Sequence, residues 1–121
     1  RAAARGRRGD LIGAAMASRA LALDAARACD EVRAARWLAR AQRVALQRQS
    51  AHELACNTLC AADLALLQGR PAEARAQATS ALQDFQALQM AWHAQQALQR
   101  GASAEPAFRR TGTAAERPCA R

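Results

Sequence analysis

Between Pro71 and Leu88 the residues Ala74, Ala78, Leu82, Phe85 and Leu88 recur at spacings of four and three, while Glu73, Gln77, Ser80, Gln83 and Asp84 fall elsewhere on the wheel. That period predicts a one-faced amphipathic helix. It is preceded by Gly69-Arg70-Pro71, the pattern of one helix closed by a left-handed glycine and another opened by proline in its first turn. Upstream, Ser50 and Glu53 have the form of a capping box, which opens a helix running to about Gln68. Its leucines, at 54, 59, 64, 66 and 67, are spread around the wheel, which predicts neighbours on most sides.

Two further helices are expected before it, Leu11 to Ala28 capped by Asp10 and Glu31 to Gln47 capped by Asp30. The break near Cys29 lacks Gly and Pro, so a single long bent helix is the alternative there. Beyond Gln89 a short helix carrying Trp92, Ala94, Ala97 and Leu98 is predicted to stop near Gly101. The basic stretch 1–9 and the aperiodic tail 101–121 are expected to be disordered. Residues 10–100 are thus one helical domain, in a chain expected to be a piece of something longer.

Sliding the chain against itself gives a match at an offset of about 43. "LALDAAR" at Leu21–Arg27 falls over "LALLQGR" at Leu64–Arg70, and Asp10-Leu11 over Glu53-Leu54. The organisation this predicts is two helix pairs and the first helix of a third, with stacked pairs burying one another's apolar faces.

Composition supports helices. The 51% apolar share is mostly Ala, Tyr is absent, and Ile12, Val32 and Val44 are the only β-branched aliphatics, so strand formers are nearly missing. The net charge of +8 rests entirely on Arg, since the chain has no Lys, and it is uneven. Residues 1–9 hold four Arg and no acid, 10–49 seven Arg against four acids, and 50–100 three Arg against four acids. No apolar run approaches the roughly 18 residues needed to span a bilayer, which predicts a cytoplasmic protein making no membrane contact. The unevenly spaced cysteines argue against a secreted disulfide framework.

The segment "ADLALLQGRPAEARAQATSALQDFQAL…AWHAQQAL" resembles a tetratricopeptide-like repeat of the longer kind found in the helical arms of MalT-like and LuxR-type bacterial regulators. A first helix rich in small residues ends at Gly69, "PAEA" opens the second, and Phe85 lies near its end. The similarity is good over about 50–98 and weak over 10–49, where Ala41 stands in place of Phe85. The resemblance implies an all-α fold of antiparallel helix-turn-helix repeats, stacked as a short right-handed solenoid. It also implies a protein or peptide partner in the groove, no cofactor and no catalysis.

Four constellations could carry chemistry. Gly69-Arg70-Pro71 lacks the further glycines and the Lys-Ser/Thr of a phosphate loop and is read as a hinge. His52, Cys56 and Cys60, with Asp63 near the same line, share one helix face and could hold zinc with a fourth ligand such as Cys29. The usual two-residue ligand spacing is missing, however, and buried cysteines as small apolar side chains are the favoured reading, so no metal is expected. Arg33, Arg36, Arg40 and Arg43 form a stripe, the candidate contact to a partner; a basic helical domain binding nucleic acid or acidic partners is the alternative. Trp37, Phe85 and Trp92 are expected in the core. With histidine only at 52 and 93 and no paired carboxylates in a pocket, no enzymatic site is predicted.

Overall fold

The computed structural model describes residues 11–109, which form five helices and, among them, no strand. They are α1 (Leu11–Arg27), α2 (Glu31–Gln47), α3 (Ala51–Leu67), α4 (Pro71–Ala87) and α5 (Ala91–Arg109). The basic segment 1–9, Asp10 and the tail beyond Arg109 lie outside the described residues.

The four turns share one geometry. In each, a residue with positive φ follows the helix: Cys29 at 62°, Gln49 at 53°, Gly69 at 71° and Gln89 at 58°. Its amide donates to the carbonyl three residues back, as Cys29 to Ala26 (2.9 Å) and Gly69 to Leu66 (3.2 Å). The next amide reaches five residues back: Asp30 to Ala25, Ser50 to Ala45, Arg70 to Ala65 and Met90 to Phe85, at 2.8 to 3.1 Å. This is the Schellman closure of a helix C-terminus. The residue completing it then accepts the first amide bond of the following helix, Asp30 from Ala34 and Ser50 from Leu54. One residue ends one helix and starts the next, which makes the turns short.

The break at Cys29 is therefore real, and the bent-helix alternative falls. The turns also correct the repeat. The left-handed residues stand 20 apart, so a helix pair spans 40 residues rather than about 43. The Ala-Leu strings that matched at 43 occupy different places in the two pairs, because "LALDAAR" closes α1 whereas "LALLQGR" runs through the α3–α4 turn. Only Gly69 uses the residue for which positive φ costs little; the other three positions accept about 1–2 kcal/mol of backbone strain.

α3 lies at the centre and packs on all four other helices, as its scattered leucines predict. Sequential neighbours pack on one another, α1 and α5 also touch α3, and α2 and α4 do not touch each other. The core is mostly alanine: Ala22, Ala34, Ala41, Ala55, Ala62, Ala74, Ala81 and Ala104 are wholly buried, and among the described residues Phe85 is the one aromatic with no exposure. Trp37 is half-buried beside the cluster of Ala22, Ala34 and Leu64. Trp92, expected in the core, is 67% exposed, because α5 turns Ala94, Ala97 and Ala104 inward instead. α5 also continues past Gly101, where the aperiodic tail was expected to begin, and buries Ala104 against Ala65 and Ala74. No described helix is long and apolar enough to cross a membrane.

Candidate functional site

Three polar constellations stand out, and α3 or α2 positions each of them. The first holds α1, α2 and α3 together. The Arg19 guanidinium on α1 donates to Glu53 Oε1 (2.7 Å) and to Asn57 Oδ1 (2.8 Å), and Asn57 Nδ2 donates to Gln42 Oε1 (3.0 Å). Arg48 approaches the other Glu53 oxygen at 3.7 Å. Glu53 and Asn57 are buried, and no buried side-chain N or O among the described residues lacks a partner. The expected capping box is thus half made. Ser50 Oγ accepts from the Glu53 amide (3.1 Å), but the Ser50 amide is already given to Ala45, so the Glu53 carboxylate turns to Arg19.

The second lies at the start of the α3–α5 seam. His52 and Cys56, one turn apart, have Nε2 and Sγ 3.6 Å apart. His93 on α5 faces them, with its ring centroid 5.5 Å from that of His52 in an edge-to-face arrangement. Ligand-capable atoms of His52, Cys56 and His93 lie within 4.8 Å of one another. Phe85 packs beside the His93 ring (5.1 Å between centroids), and Trp92 stands edge-on to it at 5.0 Å. Burial, reinforced by the charge of His52, lowers the His93 pKa from the ordinary imidazole value. Burial raises the Cys56 pKa, with Arg19 opposing and Glu53 adding to the effect.

Cys60, grouped with His52 and Cys56 in the sequence, points elsewhere. It is buried against α1, with its thiol 3.9 Å from the Arg19 carbonyl oxygen. Burial, helped by Asp63 and opposed by Arg19, pushes its pKa up to about 12, which suits the small apolar role. Cys29 lies in the α1–α2 turn, outside the histidine cluster. Asp63 is taken by Arg100 of α5 at 2.7 Å, beside a shallow hollow of about 270 Å³ lined by Leu23, Arg27, Leu66 and Leu67. His93 was missed as a partner of His52 because its proximity depends on the 20-residue turn spacing, which the 43-residue offset conceals.

The third is the arginine stripe. Arg33, Arg36, Arg40 and Arg43 are all exposed, and none has a side-chain ion pair among the described residues. Arg19, Arg48, Arg70 and Arg100 each face a carboxylate: Glu53, Glu53, Glu31 and Asp63. Beside the stripe, Val32 (65% exposed), Ala39 and Leu46 (58% exposed) follow one another at intervals of seven, an apolar line on the outer side of α2. Ala34, Ala41, Val44 and Ala45 form the inward face.

No protein-family model, curated protein or solved structure matches this chain.

Proposed function

We propose that the chain is a helical-repeat interaction module, a short solenoid belonging to a larger signalling or transcriptional regulator, and that the outer face of α2 receives its partner. The observation that carries the reading is the seven-residue line Val32, Ala39, Leu46 flanked by four arginines without ion-pair partners among the described residues. An apolar line at that spacing suits the stripe of a second helix. The arginines then select a partner helix carrying Asp or Glu beside its apolar positions, contributing more to encounter rate and specificity than to raw affinity. The repeated turn geometry and the contact of α1, α3 and α5 along one side support the solenoid: helices close on that side and separated on the other give a curved stack.

A selection from a display library of amphipathic helical peptides tests it. Recovered peptides are expected to be rich in acidic residues and to lose binding to a protein carrying Arg36→Glu, Arg40→Glu and Arg43→Glu. Enrichment that is indifferent to these changes overturns the assignment. Tight, salt-sensitive binding of random duplex DNA by the same arginines would instead favour the nucleic-acid alternative.

A further inference from the structure

We infer that His52, Cys56 and His93 form a binding site for a divalent transition ion of the zinc class, with two imidazole nitrogens and one thiolate as ligands and one position left to solvent. The argument begins with chemistry: imidazole and thiolate are the nitrogen and sulfur donors that borderline ions such as Zn(II) and Co(II) prefer over alkaline-earth ions. Geometry follows. Zinc bonds of about 2.3 Å to sulfur and about 2.0–2.1 Å to nitrogen, at tetrahedral angles, place a sulfur and a nitrogen about 3.5–3.6 Å apart. Cys56 Sγ and His52 Nε2 stand at 3.6 Å, already the edge of such a tetrahedron. The whole three-atom group fits within 4.8 Å, so the widest pair must close by roughly 1 Å, which rotation of half-exposed rings can supply.

The surroundings favour a site with an open position over a closed structural one. His52 is exposed, Cys56 and His93 are half-buried, and no fourth His, Cys, Asp or Glu among the described residues joins the group. Three protein ligands and a solvent molecule is the arrangement in which zinc remains accessible to an outside ligand. The wholly buried Phe85 packs against the His93 ring and fixes one side, and His52 and Cys56 are held one turn apart by the first two turns of α3. Because the ligands come from α3 and α5, metal would also clamp the seam that these two helices share. The thiol loses its proton when the ion binds, so affinity falls as the solution is acidified. This inference stands on different residues from the docking face of α2 and survives or fails independently of it.

The test is Co(II) titration of the full chain, kept reduced and free of chelators, followed by Zn(II) competition. One equivalent of Co(II) is expected to produce a thiolate-to-metal charge-transfer band and the intense visible bands of a four-coordinate ion, with quenching of Trp92, whose ring adjoins His93. Zn(II) should abolish all three signals. Cys56→Ser should remove the charge-transfer band, and His93→Ala should weaken binding at least about 10-fold, the lower bound for losing even an outer-sphere partner. Cys60→Ala, one turn further along α3 and buried against α1, should leave the spectrum unchanged. Because a variant could lose helical structure, X-ray absorption of the zinc-loaded wild-type chain supplies an independent reading, with one sulfur near 2.3 Å and two imidazoles expected. An all-oxygen shell, absence of the charge-transfer band, or binding unaffected by Cys56→Ser in a folded protein overturns the site.

Discussion

The two seams on either side of α3 solve the same packing problem with different chemistry. Towards α1, whose buried apolar side chains here are Ala22, Ala25 and Ala26 set against Cys60 and Leu64 of α3, the seam also carries a buried polar net running Arg19–Glu53–Asn57–Gln42. Towards α4 and α5, the wholly buried Phe85 fills the space against Ala55, Ala81 and Ala97, and the nearby polar groups are two imidazoles and a thiol. In the 40-residue register Ala45 of α2 holds the place of Phe85 of α4, each accepting the amide that closes the following turn, so the first pair lacks the large side chain that the second has there. An alanine-rich chain thus gains uniqueness either from one large side chain or from directed hydrogen bonds, and the two have different weaknesses.

The sharpest way to break the comparison is Phe85→Ala, expected to cost about 3–5 kcal/mol because the ring is wholly buried and its removal leaves a cavity. Trp92→Ala, at an exposed position, should change stability by less than about 0.5 kcal/mol. Urea unfolding followed by circular dichroism measures both, and equal losses would refute the asymmetry. Next comes Arg19→Ala, expected to cost about 3 kcal/mol by leaving the buried Glu53 carboxylate short of its closest partner. Arg19 and Phe85 belong to opposite seams, so the double variant should be close to additive.

Smaller effects sharpen the picture at the turns. Gln49→Gly or Gln89→Gly should raise stability by about 0.5 kcal/mol, the relief of left-handed strain exceeding the added chain entropy, whereas Gly69→Ala should lower it by about 1 kcal/mol. The smallest effect is in pH dependence. The His93 pKa is lowered on folding, so the unfolded chain binds the extra proton as pH falls through the ordinary imidazole range near 6.5. Stability of the α3–α5 side should therefore decline on acidification from pH 7 to 5.5, and His93→Gln should remove that component of the slope.

Much of the helical framework is legible in the sequence. Asp30, Ser50 and Pro71 mark three helix starts through their capping chemistry, and the scattered leucines of α3 announce its central place. The turns at Cys29, Gln49 and Gln89 are harder to read, because their left-handed residues are neither Gly nor Asn and are held by the surrounding hydrogen bonds. The Ala-Leu strings that match at 43 mask the 20-residue spacing of the breaks and hide the approach of His93 to His52. The solvated arginine stripe was readable from spacing alone, since Arg33, Arg36, Arg40 and Arg43 follow the helical period. The line Val32, Ala39, Leu46 was not, since exposure of an apolar residue depends on which face the neighbours leave uncovered.

The measurement that tests the account most directly is a charge-swap cycle on α2. A helical peptide with leucines at heptad spacing flanked by glutamates is titrated against the wild-type chain and against Arg36→Glu/Arg43→Glu, and the same peptide with lysines in place of its glutamates is titrated against both. The account predicts that the acidic peptide binds the wild type and the basic peptide binds the variant, with the crossed pairs at least about 10-fold weaker. Equal affinity in all four pairings, or binding unchanged when Val32 and Leu46 are replaced by Ser, would contradict α2 as the docking face.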